Sequence, residues 1–262
     1  MFGRLLAQPE VGAVDIDGEE RLLAHTRVLA RKPMLLDVFR ELHRIMNDAD
    51  IRWFGDVPGQ RVEIGAGVAA MRNSYPDVLA TDIVAGTGVD QVLDAQAMDF
   101  EDGGVRAIFG QNSFHHLPEP RRFFNELQRV IRPGGGAVLI EPFHGPLASL
   151  LYPRLFRSEG FDKSATAWET PMDGPMSGAN QALSYVVFQR DRAAFEAEFP
   201  KLTVAEVRPL TSAIRYLMSG GLNFRQLAPD WSMGGLRGLE RALAPLAPLW
   251  ALHHLIVLRR EP

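Results

Sequence analysis

From about Glu19 to Asn47, apolar residues recur at helical spacing: Leu22, Leu23, Leu29, Leu35, Leu36, Phe39, Leu42, Ile45 and Met46. The pattern predicts two helices. Pro33 divides them, because its ring removes a backbone donor and clashes with the preceding turn. Beyond residue 60 the period changes. Short apolar runs predict strands over Arg61–Ile64, Val78–Thr81, Val89–Leu93, Val105–Gly110, Ala137–Glu141, Leu202–Val207 and Leu252–Leu258. A short helix is expected near Val68–Asn73, and longer ones over Pro120–Ile131 and Arg190–Phe199.

Strands alternating with helices imply parallel βαβ units, hence an α/β fold with a doubly wound, seven-stranded sheet. Right-handed crossovers gather the loops that follow the strands on one edge, where ligands bind. Two stretches break the rhythm: 142–189, rich in Pro, Gly, Ser and aromatics, and 210–248. They are expected as insertions after the fifth and sixth strands of a single domain, 1–262. Its parts are N-terminal helices (1–59), a first half of the sheet (60–141), a cap (142–189) and a second half (190–262).

Composition narrows the function. The chain has 262 residues, is 46% hydrophobic and carries a formal charge of -4 with no basic block, which argues against a nucleic-acid binder. It has no cysteine, so disulfides, thiolate–zinc sites and cysteine nucleophiles are excluded. The seven histidines form no HExxH-type pattern, and no metal site is expected. The most apolar stretch, Ala242–Leu252, is broken by Pro245 and Pro248 and is too short to span a bilayer. A soluble, cytoplasmic protein is expected, of unstated oligomeric state.

The first strand runs into Gly65-Ala66-Gly67-Val68-Ala69-Ala70, a G-x-G-x-x-A turn. Such a turn lets a ligand approach the backbone at a helix N-terminus, and suits either of two nucleoside cofactors, NAD or S-adenosylmethionine. Glu63, two residues earlier, stands where dinucleotide enzymes usually carry an apolar residue. Asp82, with the adjoining Ile83, ends the second strand and is placed to accept from ribose hydroxyls. Asp94-Ala95-Gln96 follows the third strand and could meet an adenine edge; Asn112 follows the fourth. A nicotinamide oxidoreductase remains a rival, although the Tyr-x-x-x-Lys pair it would need does not follow the fourth strand. A non-catalytic binding module is the third possibility.

These segments, with Asn112-Ser113-Phe114-His115-His116-Leu117-Pro118-Glu119-Pro120 and Arg129-Val130-Ile131-Arg132-Pro133-Gly134-Gly135-Gly136, resemble in order the signatures of class I S-adenosylmethionine-dependent methyltransferases of the small-molecule branch. The resemblance covers about residues 60–142. An alanine replaces the third glycine, and Phe114 stands for the usual leucine. The likeness implies a Rossmann-like fold and S-adenosylmethionine as methyl donor. It implies a donor site built from Glu63, Gly65, Ala66, Gly67, Asp82, Ile83, Asp94, Ala95, Gln96 and Asn112. The flanks Pro175–Leu183, Phe188–Arg192 and Tyr216–Gly221 are similar to bacterial methyltransferases found among polysaccharide-biosynthesis genes.

Methyl transfer is an in-line displacement, and a base is needed only when the acceptor proton is hard to lose, as on a sugar hydroxyl. His115 and His116 follow the fourth strand and titrate in the right range, so one of them, preferably His116, is the candidate catalytic or orienting group. Glu141 and His144 lie at the same edge, and Glu141 could instead bond backbone. His25, His43, His253 and His254 are expected to be structural. Trp168–Leu183, with Asp173, Ser177, Asn180 and Gln181, is the preferred acceptor-recognition segment. Leu236–Trp250 is a core or dimer contact, or else an interfacial surface for a lipid-linked acceptor.

Overall fold

The structure is a computed structural model that describes residues 7–11, 19–68, 70–156, 159–171 and 179–262. Its sheet has seven strands: β1 (Gln60–Ile64), β2 (Val78–Asp82), β3 (Gln91–Val92), β4 (Val105–Gln111), β5 (Ile131–Pro142), β6 (Leu202–Pro209) and β7 (His253–Arg260). Their order is β3-β2-β1-β4-β5-β7-β6. The first five are parallel, whereas β7 runs antiparallel between β5 and β6. The sheet is therefore mixed, with the expected parallel βαβ units over β1 to β5 and an antiparallel β7. His253 to Leu258 are all buried, as a strand covered on both faces requires, and that run takes an interior place.

Helices cover both faces. On one, α1 (Glu19–Ala30) and α2 (Pro33–Phe54) precede the sheet, with Pro33 at the first position of α2, where its missing N–H costs nothing. Leu35, Val38, Leu42 and Met46 pack against Ala107, Phe109, Val138 and Val257. On the other face α3 (Pro120–Val130) buries Phe123, Phe124, Leu127 and Val130. These join Phe114, Trp168, Phe188, Phe195 and Phe199 in an aromatic-rich core. α4 (Pro146–Leu155) lies in the cap, and α5 (Arg192–Glu198) precedes β6.

Three expectations are corrected. No α-helix follows Gly67 among the described residues: a single 3₁₀ turn, Met71–Asn73, carries the chain to β2. The span is short and ends in Ser74-Tyr75-Pro76, which leaves no room for a second turn. The third strand shrinks to Gln91–Val92. The stretch 210–248 is not irregular throughout, since it holds α6 (Ala213–Ser219) and α7 (Met233–Ala242). Arg215 of α6 is buried and ties this insertion down, pairing with Asp37 and Glu41 of α2 at 2.7 Å each and with Glu240 of α7 at 2.5 Å. Among the described residues, no helix is long and apolar enough to cross a membrane.

The strand order reverses between β1 and β4, and a crevice opens where their carboxyl ends diverge. Gly65 leaves β1 there with φ 62°, and a β-carbon on it would lie 2.7 Å from Cβ of Ser113, in the loop after β4. Asn112 also takes a left-handed conformation, φ 52°, which few residues other than glycine adopt without cost.

Candidate active site

A cavity of about 510 Å³ occupies this crevice. Its outer half is built from the loops after β1 to β4: Gly65, Ala66 and Gly67, then Asp82 and Ile83, then Asp94, Ala95 and Gln96, then Asn112 and Ser113. Ala66 N–H donates to the Thr81 carbonyl at 3.0 Å, binding the glycine turn to β2. Asp82 accepts from the backbone of Gly67 and of Val84, both at 3.0 Å, so its carboxylate is oriented by two amides. Asp94 accepts from Gln96 N–H at 2.8 Å, and Gln96 in turn accepts from Glu119 N–H at 2.8 Å. Ile83 is 53% exposed at this wall, an apolar side chain suited to cover a flat ring.

The inner half combines α1, the loop after β4, the cap and the C-terminal part of the chain. Its polar centre is His115, 2% exposed. Glu141, fully buried near the end of β5, accepts from the backbone of Ser113 at 3.0 Å and Phe114 at 2.9 Å, and one oxygen lies 2.6 Å from His115 Nδ1. That contact places the Nδ1 proton toward the carboxylate and turns Nε2 to the cavity. Nε2 lies 3.6 Å from Glu159, whose carboxylate also accepts from Gln181 at 2.8 Å. Burial opposes charge on His115, but Glu141 and Glu159 outweigh it and raise its pKa to about 9. His116, 4.2 Å away between ring centroids, is pushed well below the usual histidine value by burial and by the charges of His115 and Arg21. His253 is also lowered, to about 4, by burial and by His115. One imidazole of the group carries the charge and its neighbours stay neutral.

The structure brings together Gly65, Ala66, Gly67, Asp82, Ile83, Asp94, Ala95, Gln96, Asn112, His115 and His116 around one cavity. Glu63 does not line it. It sits beneath the glycine turn, 2% exposed, and accepts from Met71 N–H at 2.7 Å. Glu141 bonds backbone and His115, and His144 stacks on Tyr185 rather than reaching the cavity. Gln181 lines the inner half, while Asn180 secures the cap by accepting from Asp162 N–H at 2.9 Å. Asp173 and Ser177 lie outside the described residues. Tyr152, Glu159, Tyr216 and Asn223 line the inner wall without having been expected there, as do His25 and His253, which were expected to be structural.

Residues lining this cavity carry buried polar atoms without a hydrogen-bond partner, among them Oε1 of Gln111, Oδ1 of Asn112, Oγ of Ser113, Nε2 of His115, Nδ1 of His116 and Oε1 of Gln181. Buried polar atoms are ordinarily paired, so a cluster of this kind at a cavity marks a polar ligand's place. With the open space before Gly67, where a β-carbon would meet nothing nearer than 3.9 Å, the residues present fit a nucleoside carrying an amino-acid tail.

A reversed-order sheet of this kind, with a glycine turn ending β1 and carboxylates ending β2 and β3, is a doubly wound arrangement suited to binding a nucleoside at the switch point. Residues 62–139 match the family described as "Methyltransferase domain". The chain is 33% identical over 73 residues to a chloroplastic tocopherol O-methyltransferase of Arabidopsis thaliana, covering 28% of this chain and 21% of that one. It is 30% identical over 137 residues to a demethylmenaquinone methyltransferase of Renibacterium salmoninarum, covering 45% and 56%. The matched part thus spans about a fifth and about half of these curated relatives. Among solved structures, it is similar to a geranyl diphosphate C-methyltransferase from Streptomyces coelicolor bound to S-adenosyl-L-homocysteine. There the identity is 13%, the TM-score 0.47, and the coverage 98% of this chain and 89% of that one.

Proposed function

We propose that the chain transfers a methyl group from S-adenosylmethionine to a hydroxyl of a small-molecule acceptor, such as a sugar or secondary metabolite. The observation that carries this is the continuity of one cavity from Gly65, Asp82 and Asp94 to the unpartnered imidazole nitrogens of His115 and His116. The donor, when bound, supplies an electrophilic methyl on its sulfonium. In the outer half, Asp82 is the group to accept from the ribose hydroxyls, Asp94 and Gln96 border the base, and Ile83 covers its face. The inner half holds the acceptor so that its oxygen faces the methyl carbon. As the C–O bond forms and the C–S bond breaks, the hydroxyl proton passes to the imidazole–carboxylate cluster, to His116 first. Proximity and exclusion of water supply most of the acceleration.

The inner wall favours one refinement. Phe39, Tyr152, Phe156, Tyr216 and Leu222 give it an apolar and aromatic lining. That lining suits a hydroxyl carried on an aromatic or apolar body better than a bare sugar.

Calorimetric titration with S-adenosylhomocysteine tests the donor site directly. Binding at micromolar concentration is expected, lost in Asp82→Ala; absence of binding in the wild type overturns the proposal. Mass spectrometry of extracts from wild-type and deletion strains then identifies the acceptor as the species that becomes lighter by one CH₂.

A further inference from the structure

We propose that His115, His116 and Glu159 form a binding site for a divalent transition-metal cation at the inner end of the cavity. One ligand atom from each of the three lies within 4.8 Å of the other two. His115 Nε2 and Glu159 Oε2 are already 3.6 Å apart. Two ligands on one metal at about 2.1 Å stand roughly 3.0–3.4 Å from each other, so modest side-chain rotation closes the set. Nε2 of His115 and Nδ1 of His116 are buried and have no hydrogen-bond partner.

A second observation points the same way. His115 offers Nε2 to the cavity while its other ring nitrogen is held 2.6 Å from Glu141. A carboxylate on the far nitrogen is the usual outer support of a metal-bound imidazole, where it fixes the tautomer and raises ligand basicity. Charge agrees once the cation takes the place of the proton on His115, because Glu141 and Glu159 then bring two negative charges that a dication balances. Arg21 opposes it from the same cavity, but is one charge against two. Two imidazoles and one carboxylate on one side of a metal leave the remaining positions open to the cavity. That donor set suits Zn²⁺, Fe²⁺ or Mn²⁺, with an oxygen of a small ligand in an open position. Occupied in this way, His116 becomes a ligand and no longer a proton acceptor, and a coordinated hydroxyl would be acidified by the metal instead. The sequence hides the site because Glu159 comes from the cap, far from the His-His pair.

The test uses untagged full-length protein, stripped with chelator and titrated calorimetrically with ZnCl₂ and with MnCl₂ alone, followed by metal analysis after gel filtration. One equivalent is expected, with at least tenfold weaker binding in Glu159→Gln and in His116→Asn. Glu141→Gln, which leaves all three ligands in place, is expected to weaken it by about 10- to 100-fold. A circular dichroism spectrum and a cooperative thermal transition like the wild type's certify that each variant is folded. No binding of either metal up to millimolar concentration, or binding undiminished in both Glu159→Gln and His116→Asn, overturns the proposal. Metal binding in a protein with no methyl transfer would count against the methyltransferase proposal and leave this one standing.

Discussion

At the scale of single residues, the donor half depends on backbone that only certain side chains tolerate. Gly65 combines a left-handed φ with a neighbour that a β-carbon would strike, Cβ of Ser113 at 2.7 Å. Gly65→Ala is therefore expected to lose at least the 1–2 kcal/mol that a left-handed alanine costs, and to spread the two loops. Thermal unfolding and S-adenosylhomocysteine titration should both register it, as a lower Tm and a weakened or absent heat of binding. Glu63 gives a pH prediction. Burial raises its pKa to about 8, with the charge of Asp82 adding to the effect and the Met71 hydrogen bond opposing it. Between about 4.5 and 8 the folded chain holds a proton that the unfolded chain has released, so this group lowers stability as pH rises through that window and adds no slope above it. Glu63→Gln keeps an acceptor for Met71 N–H and cannot ionise. Its Tm relative to wild type should climb from pH 5 to pH 8; a constant difference would mean that Glu63 does not titrate there. Gly65, Asp82, Asp94, Asn112 and the His-His pair were legible in the sequence because each follows its own strand at short range. Glu159, Tyr152, Tyr216 and His253 were not, because they reach the cavity through tertiary packing that no local spacing records.

At the scale of elements, the sheet was more legible than its connections. Apolar runs located all seven strands, since burial on both faces leaves a clear signal; the helix expected after Gly67 failed for want of residues before Pro76. The helices between 210 and 248 were obscured by their glycines and prolines, and owe their place to Arg215. That side chain, 1% exposed, meets carboxylates from α2 and α7 at once. Arg215→Met should cost about 3–5 kcal/mol, because Glu240 would remain buried with no cationic partner, keeping only the backbone N–H of residue 215. The expected sign is a lower urea midpoint. Replacing Glu240 by Gln in the same chain should recover part of the loss, whereas an Arg215 that served only as packing would show no such rescue.

At the scale of the whole molecule, the cavity is shared by the N-terminal helices, the sheet edge, the cap and the C-terminal insertion, with Arg21 and Phe39 at one wall and His253 at another. A ligand seated there binds the folded chain and not the unfolded one. S-adenosylhomocysteine at a hundred times its dissociation constant should add about 2.7 kcal/mol to stability, read as a rise in Tm. Glu141 has a consequence for motion. Loops after strands ordinarily open on their own, and their amide hydrogens exchange quickly with solvent. Here one buried carboxylate holds the amides of Ser113 and Phe114 and the ring of His115 to the end of β5. Those two amides should exchange with deuterium as slowly as the central strands, so that the loop bearing the candidate chemistry is released only when the domain unfolds as a unit.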